Sequence, residues 1–269
     1  MWHEFHGPLA AFAVSLVLAL VARLRRSTLA GSLACGLAVA AGWYVMRSAP
    51  LRLAPLVPME RLLPLSVATL LVALAAERFA ARRGVWPPLV VTALGCGWWM
   101  AGGPLTQAGL LAVWPVILVV AVAVVAVTRL SGIAAGATSP LPLALAAFTL
   151  AMALHVVGAP WIWILMALTP GAAVLPLLLV PRLAGLALLP LAADLAATKA
   201  AVSLSIGRLA HGGLGAVDAA ALSPLLALWL MPHAVTRLRR FGRLGPLLAA
   251  VVCGAIAVGA TWGVLWLRR

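Results

Sequence analysis

Long stretches of this chain carry no charge, and that limits its fold more than any other feature. Leu110 to Val127 has no charged residue, and neither does Pro246 to Leu267. About 20 apolar residues wound as a helix cross the ~30 Å hydrocarbon core of a bilayer. Hydrophobic residues make up 65% of the 269 positions and charged residues 9%, too little polar surface to clothe a water-soluble domain. The expected fold is all-α: a polytopic transmembrane helical bundle of about ten spans, forming a single integral membrane domain over 1–269. The longest segments outside the apolar runs, Arg47 to Arg61 and Arg208 to Asp218, are too short to bury a core of their own.

Apolar runs and their punctuation place the candidate spans at about 5–22, 29–46, 62–77, 86–101, 109–127, 140–158, 160–180, 183–207, 217–235 and 246–267. Several breaks carry turn or helix-stopping residues: Gly102-Gly103-Pro104, Ser139-Pro140, Gly158-Ala159-Pro160, Val180-Pro181 and Gly245-Pro246. The segment Arg47 to Arg61, with three prolines and three arginines, is read either as a plain loop or as a stretch lying along the membrane interface. Ten spans permit a five-plus-five division, and an odd-numbered unit repeated in tandem is inverted, as in many secondary transporters. The two halves, 5–127 and 140–267, show no sequence echo of each other.

The formal charge of +14 comes from 19 basic residues, all arginine except Lys199. They stand in short clusters between apolar runs, as anchors beside headgroups do, rather than in one patch. That distribution excludes a nucleic-acid partner and points to the lipid bilayer. With the N-terminus outside, twelve arginines fall inward and six outward: Arg47, Arg52, Arg61, Arg208, Arg268 and Arg269. The same alternation puts Trp2, Trp43, Trp98, Trp99, Trp114, Trp161, Trp163, Trp262 and Trp266 in the outer half, leaving Trp86 and Trp229 inward. Indole rings favour the headgroup boundary, so both signals agree on a bacterial-type inner membrane protein with both termini outside. The first span lacks a basic n-region and runs into Arg23, Arg25 and Arg26, so no cleavable signal is expected.

Cys35, Cys96 and Cys253 lie in three different apolar runs without CxxC or CxxH spacing, which predicts neither disulfides nor a zinc site. His3, Glu4 and His6 cluster at the N-terminus, where a frayed end is expected instead of a metal site. No cofactor is expected.

Asp194 is the leading candidate for chemistry. It lies 12 residues after Arg182 and 14 before Arg208, which at ~1.5 Å per residue puts it near mid-depth. A carboxylate there costs about 2.5–3.5 kcal/mol on insertion scales, and such groups face the bundle interior or a hydrated cavity. Thr198 and Ser205 project to the same side, extending a polar stripe. Lys199, roughly 140° around the helix, does not pair with Asp194 in an unbroken helix. Thr169-Pro170-Gly171 is expected to break the span 160–180 midway, and Pro190 to interrupt the next span just before Asp194. Interrupted helices at mid-depth are where carriers bind solutes. His155, under the outer interface, is read as a packing histidine with a proton relay as the alternative. Ala193, Ala197 and Ala201, and likewise Ala255, Gly259 and Gly263, form small-residue stripes for close helix approach.

No GxSxG, HExxH, P-loop or paired-carboxylate arrangement is present, and only five acidic residues exist to do acid–base work. An enzyme is therefore not expected. The function expected is a small permease with its solute or coupling-ion site at Asp194 beside the broken span 160–180. The alternative is a non-catalytic subunit packed against other integral membrane proteins.

Overall fold

The structure is a computed structural model that describes residues 5–25, 28–46, 57–83, 86–103, 105–133, 140–180, 188–207 and 215–267. Among them helices account for nearly everything and no strand is present. The α-helices are α1 (His6–Arg25), α2 (Thr28–Met46), α3 (Leu62–Arg83), α4 (Trp86–Met100) and α5 (Gln107–Ile133), then α6 (Leu141–Val156), α7 (Trp161–Val174), α8 (Leu189–Ser205), α9 (Ala216–Leu238) and α10 (Gly245–Trp266). Each coincides with one apolar run. His3 and Glu4, most of the segment Arg47 to Arg61, Arg182, Arg208 and the two terminal arginines lie outside the described residues.

Four helical stretches among the described residues are long and apolar enough to cross a membrane: His6–Arg25, Trp161–Leu179, Ala216–Gly242 and Gly245–Trp266. Leu33–Met46, Leu62–Ala75, Leu89–Met100 and Leu141–Val156 are apolar but shorter. These apolar helices are compatible with a membrane protein.

Proline and glycine set the helix ends. Pro142, Pro190 and Pro246 sit in the first turns of α6, α8 and α10, where the missing N–H would have had no intrahelical acceptor. Gly102 (φ +105°) and Gly103 (φ +60°) close α4, their N–H groups donating to the Trp99 and Trp98 carbonyls at 3.0 and 2.9 Å. Gly158 (φ +70°) turns the chain between α6 and α7.

Two expectations about interruptions are corrected. Pro190 does not break a helix, because α8 begins at Leu189 and the proline occupies its first turn. Residues 183–187 of the predicted span lie outside the described residues. Pro170 does not break α7 either; the α-helix runs through it to Val174. The change of geometry comes later, in a 3-10 segment, Leu175–Leu179, that carries Pro176 in its first turn. One missing hydrogen bond at Pro170 is tolerated in a helix clamped by α1, α2 and α6.

Small residues allow that clamping. A Cβ on Gly42 of α2 would come 2.8 Å from the Gly7 carbonyl of α1. One on Gly171 of α7 would meet Ala147 of α6 at 3.1 Å. Ser15 of α1 donates a 2.6 Å hydrogen bond to the Ala173 carbonyl of α7. Such an interhelical bond contributes about 0.6 kcal/mol on average in a membrane setting. The Phe5 and Trp161 rings meet edge to face at 5.7 Å, so α1 and α7 start at the same end and run parallel.

At the centre lies α8, packed against α2 through α7 and against α9. Every residue from Leu189 to Ser203 is buried, the Ala193–Ala197–Ala201 stripe completely. The second stripe behaves differently. Ala255 and Gly259 are exposed on α10, and a Cβ on Gly259 or Gly263 would meet nothing within 4 Å among the described residues. That stripe does not bring helices together within the described fold.

Candidate functional site

Asp194 stands in the second turn of α8 with no exposed surface. The burial follows from position: α8 is encircled, so side chains from Leu189 to Ser203 are removed from solvent whatever their polarity. Ser66 of α3, equally buried, donates a 2.7 Å hydrogen bond to Asp194 Oδ1. The other carboxylate oxygen, Oδ2, has no hydrogen-bond partner among the described residues.

The surroundings are weakly polar. Thr69, one turn along α3, donates at 3.1 Å to the Ser66 carbonyl and so helps to fix that turn. The Cys96 thiol of α4 points at the Ala193 carbonyl, 3.7 Å away, beside Asp194. Ser66 is the fifth residue of the 22-residue α3, and Cys96 lies within one turn of the middle of the 15-residue α4. The carboxylate therefore sits beside the N-terminal part of α3 and near the mid-length of α4.

The neighbouring end of α3 and α4 is tied by charge and by an indole. Arg61 Nη1 donates to the Met100 carbonyl at 2.7 Å, placing a cation at the negative end of α4. Trp99 Nε1 returns a 3.0 Å bond to the Arg61 carbonyl. This double link holds the two helices side by side just beyond the Ser66–Asp194 contact.

Lys199 is buried on the same helix, and its Nζ has no hydrogen-bond partner among the described residues. As the helical angle required, it does not bond Asp194. One helix thus carries two ionisable groups, both removed from water, neither neutralising the other. An isolated buried charge costs several kcal/mol or more unless it is paired or neutralised.

The other expected residues separate. Thr198 is buried, yet its hydroxyl donates 2.8 Å back to the Asp194 main-chain carbonyl and does not reach the carboxylate. Ser205 ends α8 with an exposed side chain, because the helix emerges from its collar after Ser203. His155 is exposed in the last turn of α6. Thr169 is buried but donates to the Leu165 carbonyl at 2.9 Å and toward Met46 Sδ at 3.4 Å. Thr169, Pro170 and Gly171 belong to the α1–α2–α6–α7 packing, away from the Ser66–Asp194–Cys96 group.

Ser66, Thr69 and Cys96 are the partners that sequence reasoning missed. Their signal was present: Ser66 and Thr69 are the hydroxyls of the run Leu62–Ala75, three residues apart and so on one face. Asp218 was missed as well. It is buried in the first turn of α9, where Oδ2 accepts a 2.8 Å bond from the Gly215 N–H and caps the helix. Among the described residues no group of three His, Cys, Asp or Glu gathers as a metal site. Comparison with known proteins gives no match to any family model, curated protein or solved structure.

Proposed function

We propose that the ten helices are membrane spans of an inner-membrane permease, and that Asp194 is the site where its coupling ion or solute binds. One observation carries this reading: among the described residues, a carboxylate sealed on α8 keeps an oxygen with no donor, and the amine on the same helix also lacks a partner. A purely structural carboxylate gains from having both oxygens satisfied, because each unmet group costs about 1–3 kcal/mol. A half-satisfied carboxylate is what a site that alternately takes and releases a proton or cation requires. The short helix α4 fits a bilayer by local thinning, with Arg61 and Trp99 at the end it shares with α3. The arginine and tryptophan distributions support both termini outside.

The test is Asp194→Asn, which keeps the volume and removes the charge. Purified protein is reconstituted into vesicles loaded with a pH-sensitive dye and presented with a panel of metabolites and drug-like solutes. The wild type moves ions with at least one solute, whereas Asp194→Asn folds but does not. A fully active Asn variant would refute the assigned role.

A second reading takes its support from the Ser66–Asp194 bond itself. A carboxylate that ties α3 to α8 serves as an interhelical pin in a subunit assembled with other integral membrane proteins. Stoichiometric co-purification of other membrane proteins in mild detergent would favour that reading over the carrier.

A further inference from the structure

Between α3 and α4, on the opposite side of Cys96 from the Asp194 helix, lies a cleft of about 380 Å3. Thr69 and Val72 line it from α3, and Thr92, Gly95, Cys96 and Trp99 from α4. The volume is within the range of small-molecule sites, ~300–1,000 Å3. Val91, an exposed apolar side chain of α4, also lines the cleft.

The polar groups of these lining residues are committed, except one. The Thr69 hydroxyl serves the Ser66 carbonyl, the Cys96 thiol the Ala193 carbonyl, and the Trp99 N–H the Arg61 carbonyl. Thr92 is 6% exposed, and its Oγ1 has no partner among the described residues. A buried hydroxyl without a partner is costly in the empty protein. Helical threonine has two accessible χ1 wells, so this hydroxyl turns toward an occupant at little cost.

We propose that the cleft binds a mostly apolar molecule with a single hydrogen-bonding group, its hydrocarbon part between α3 and α4 and its polar group on Thr92. A bilayer lipid chain and a free lipophilic solute share this chemistry. The site is independent of transport: it stands on the cleft and Thr92, and survives if Asp194 proves to be only a pin.

Gly95 provides the test. A Cβ there would meet nothing within 4 Å among the described residues, and Gly95 lines the cleft, so Gly95→Leu places a side chain in it. Bromodecanol supplies a chain, one hydroxyl and a bromine that quenches nearby indoles. Titration of the delipidated, full-length protein is expected to show saturable tryptophan quenching that Gly95→Leu abolishes. Thr92→Val, which keeps the shape and removes the hydroxyl, is expected to weaken that binding about three- to tenfold while raising the thermal midpoint of the unliganded protein. Native mass spectrometry separates the sources: a lipid retained by the wild type and lost in Gly95→Leu identifies a bilayer lipid, and bromodecanol binding without retained lipid identifies a free solute. Non-saturable quenching of equal extent in all three proteins would overturn the proposal. So would Thr92→Val binding as tightly as the wild type, an outcome that decides the matter even if Gly95→Leu fails to fold.

Discussion

Ser66 and Asp194 are 128 positions apart in the chain and 2.7 Å apart in space, hydroxyl to carboxylate. This contact joins the encircled helix α8 to α3, and it is the one hydrogen bond that the carboxylate receives from the described residues. Ser66→Ala therefore leaves a buried acceptor with nothing in exchange. Its expected cost is about 1–3 kcal/mol, read as a lower thermal unfolding midpoint in detergent. Ser66→Thr restores the hydroxyl and should recover much of the loss. An unchanged midpoint in Ser66→Ala would mean that the bond contributes nothing.

Lys199 leads to the opposite expectation. Its buried amine has no partner among the described residues, so the folded state bears the cost of removing it from water. Lys199→Met keeps the length of the side chain and drops the charge. Stability should rise by up to about 3 kcal/mol, measured as a higher midpoint, while Lys199→Arg should not raise it. If Lys199 also faces a substrate, Lys199→Met combines higher stability with lost transport, a pairing that a merely structural lysine does not produce. A lower midpoint in Lys199→Met would contradict this account of the amine.

Gly95 and Gly97 are two residues apart on α4 and should respond in opposite directions. A Cβ on Gly97 would lie 2.7 Å from the Ile117 carbonyl oxygen of α5, so Gly97→Ala has to push two backbones apart. Overpacking of that kind costs about 1–3 kcal/mol. Gly95→Ala has open space before it and gains roughly 0.5–1 kcal/mol from the stiffer helical backbone. Thermal midpoints of the two variants, compared with the wild type, check both signs at once.

These contrasts mark the limit of what the chain discloses before it folds. Uncharged runs and Gly–Pro punctuation located the ten α-helices of the described residues, since apolar patterning and backbone chemistry act locally. Asp194 was legible because a carboxylate in an apolar run is rare and costly. Its partner was not legible: helices that are apolar all round do not declare which face meets which neighbour. Hydroxyl reach is equally hidden, as Thr198 shares the Asp194 face yet bonds its own backbone. Pro170 and Pro190 show that position within the helix decides what a proline does. One lies in a first turn and the other in a helix held on several sides, and neither interrupts its helix. Helical angle alone places Ser205 with Asp194, and His155 reads as a packing histidine or a proton relay; neither reading has access to the packing that leaves both exposed.

The central claim is that Asp194 meets water or solute during a transport cycle, although the described state seals it. Asp194→Cys, in a background with Cys35, Cys96 and Cys253 replaced by alanine, tests this without knowledge of the substrate. A charged, membrane-impermeant methanethiosulfonate is applied to the protein in sealed vesicles, and modification is followed by mass spectrometry. A carrier predicts labelling of position 194 at a measurable rate, slowed by a transported solute. Complete protection of position 194 from both sides of the membrane, with the fold intact, would contradict the carrier and leave Asp194 a pin between helices.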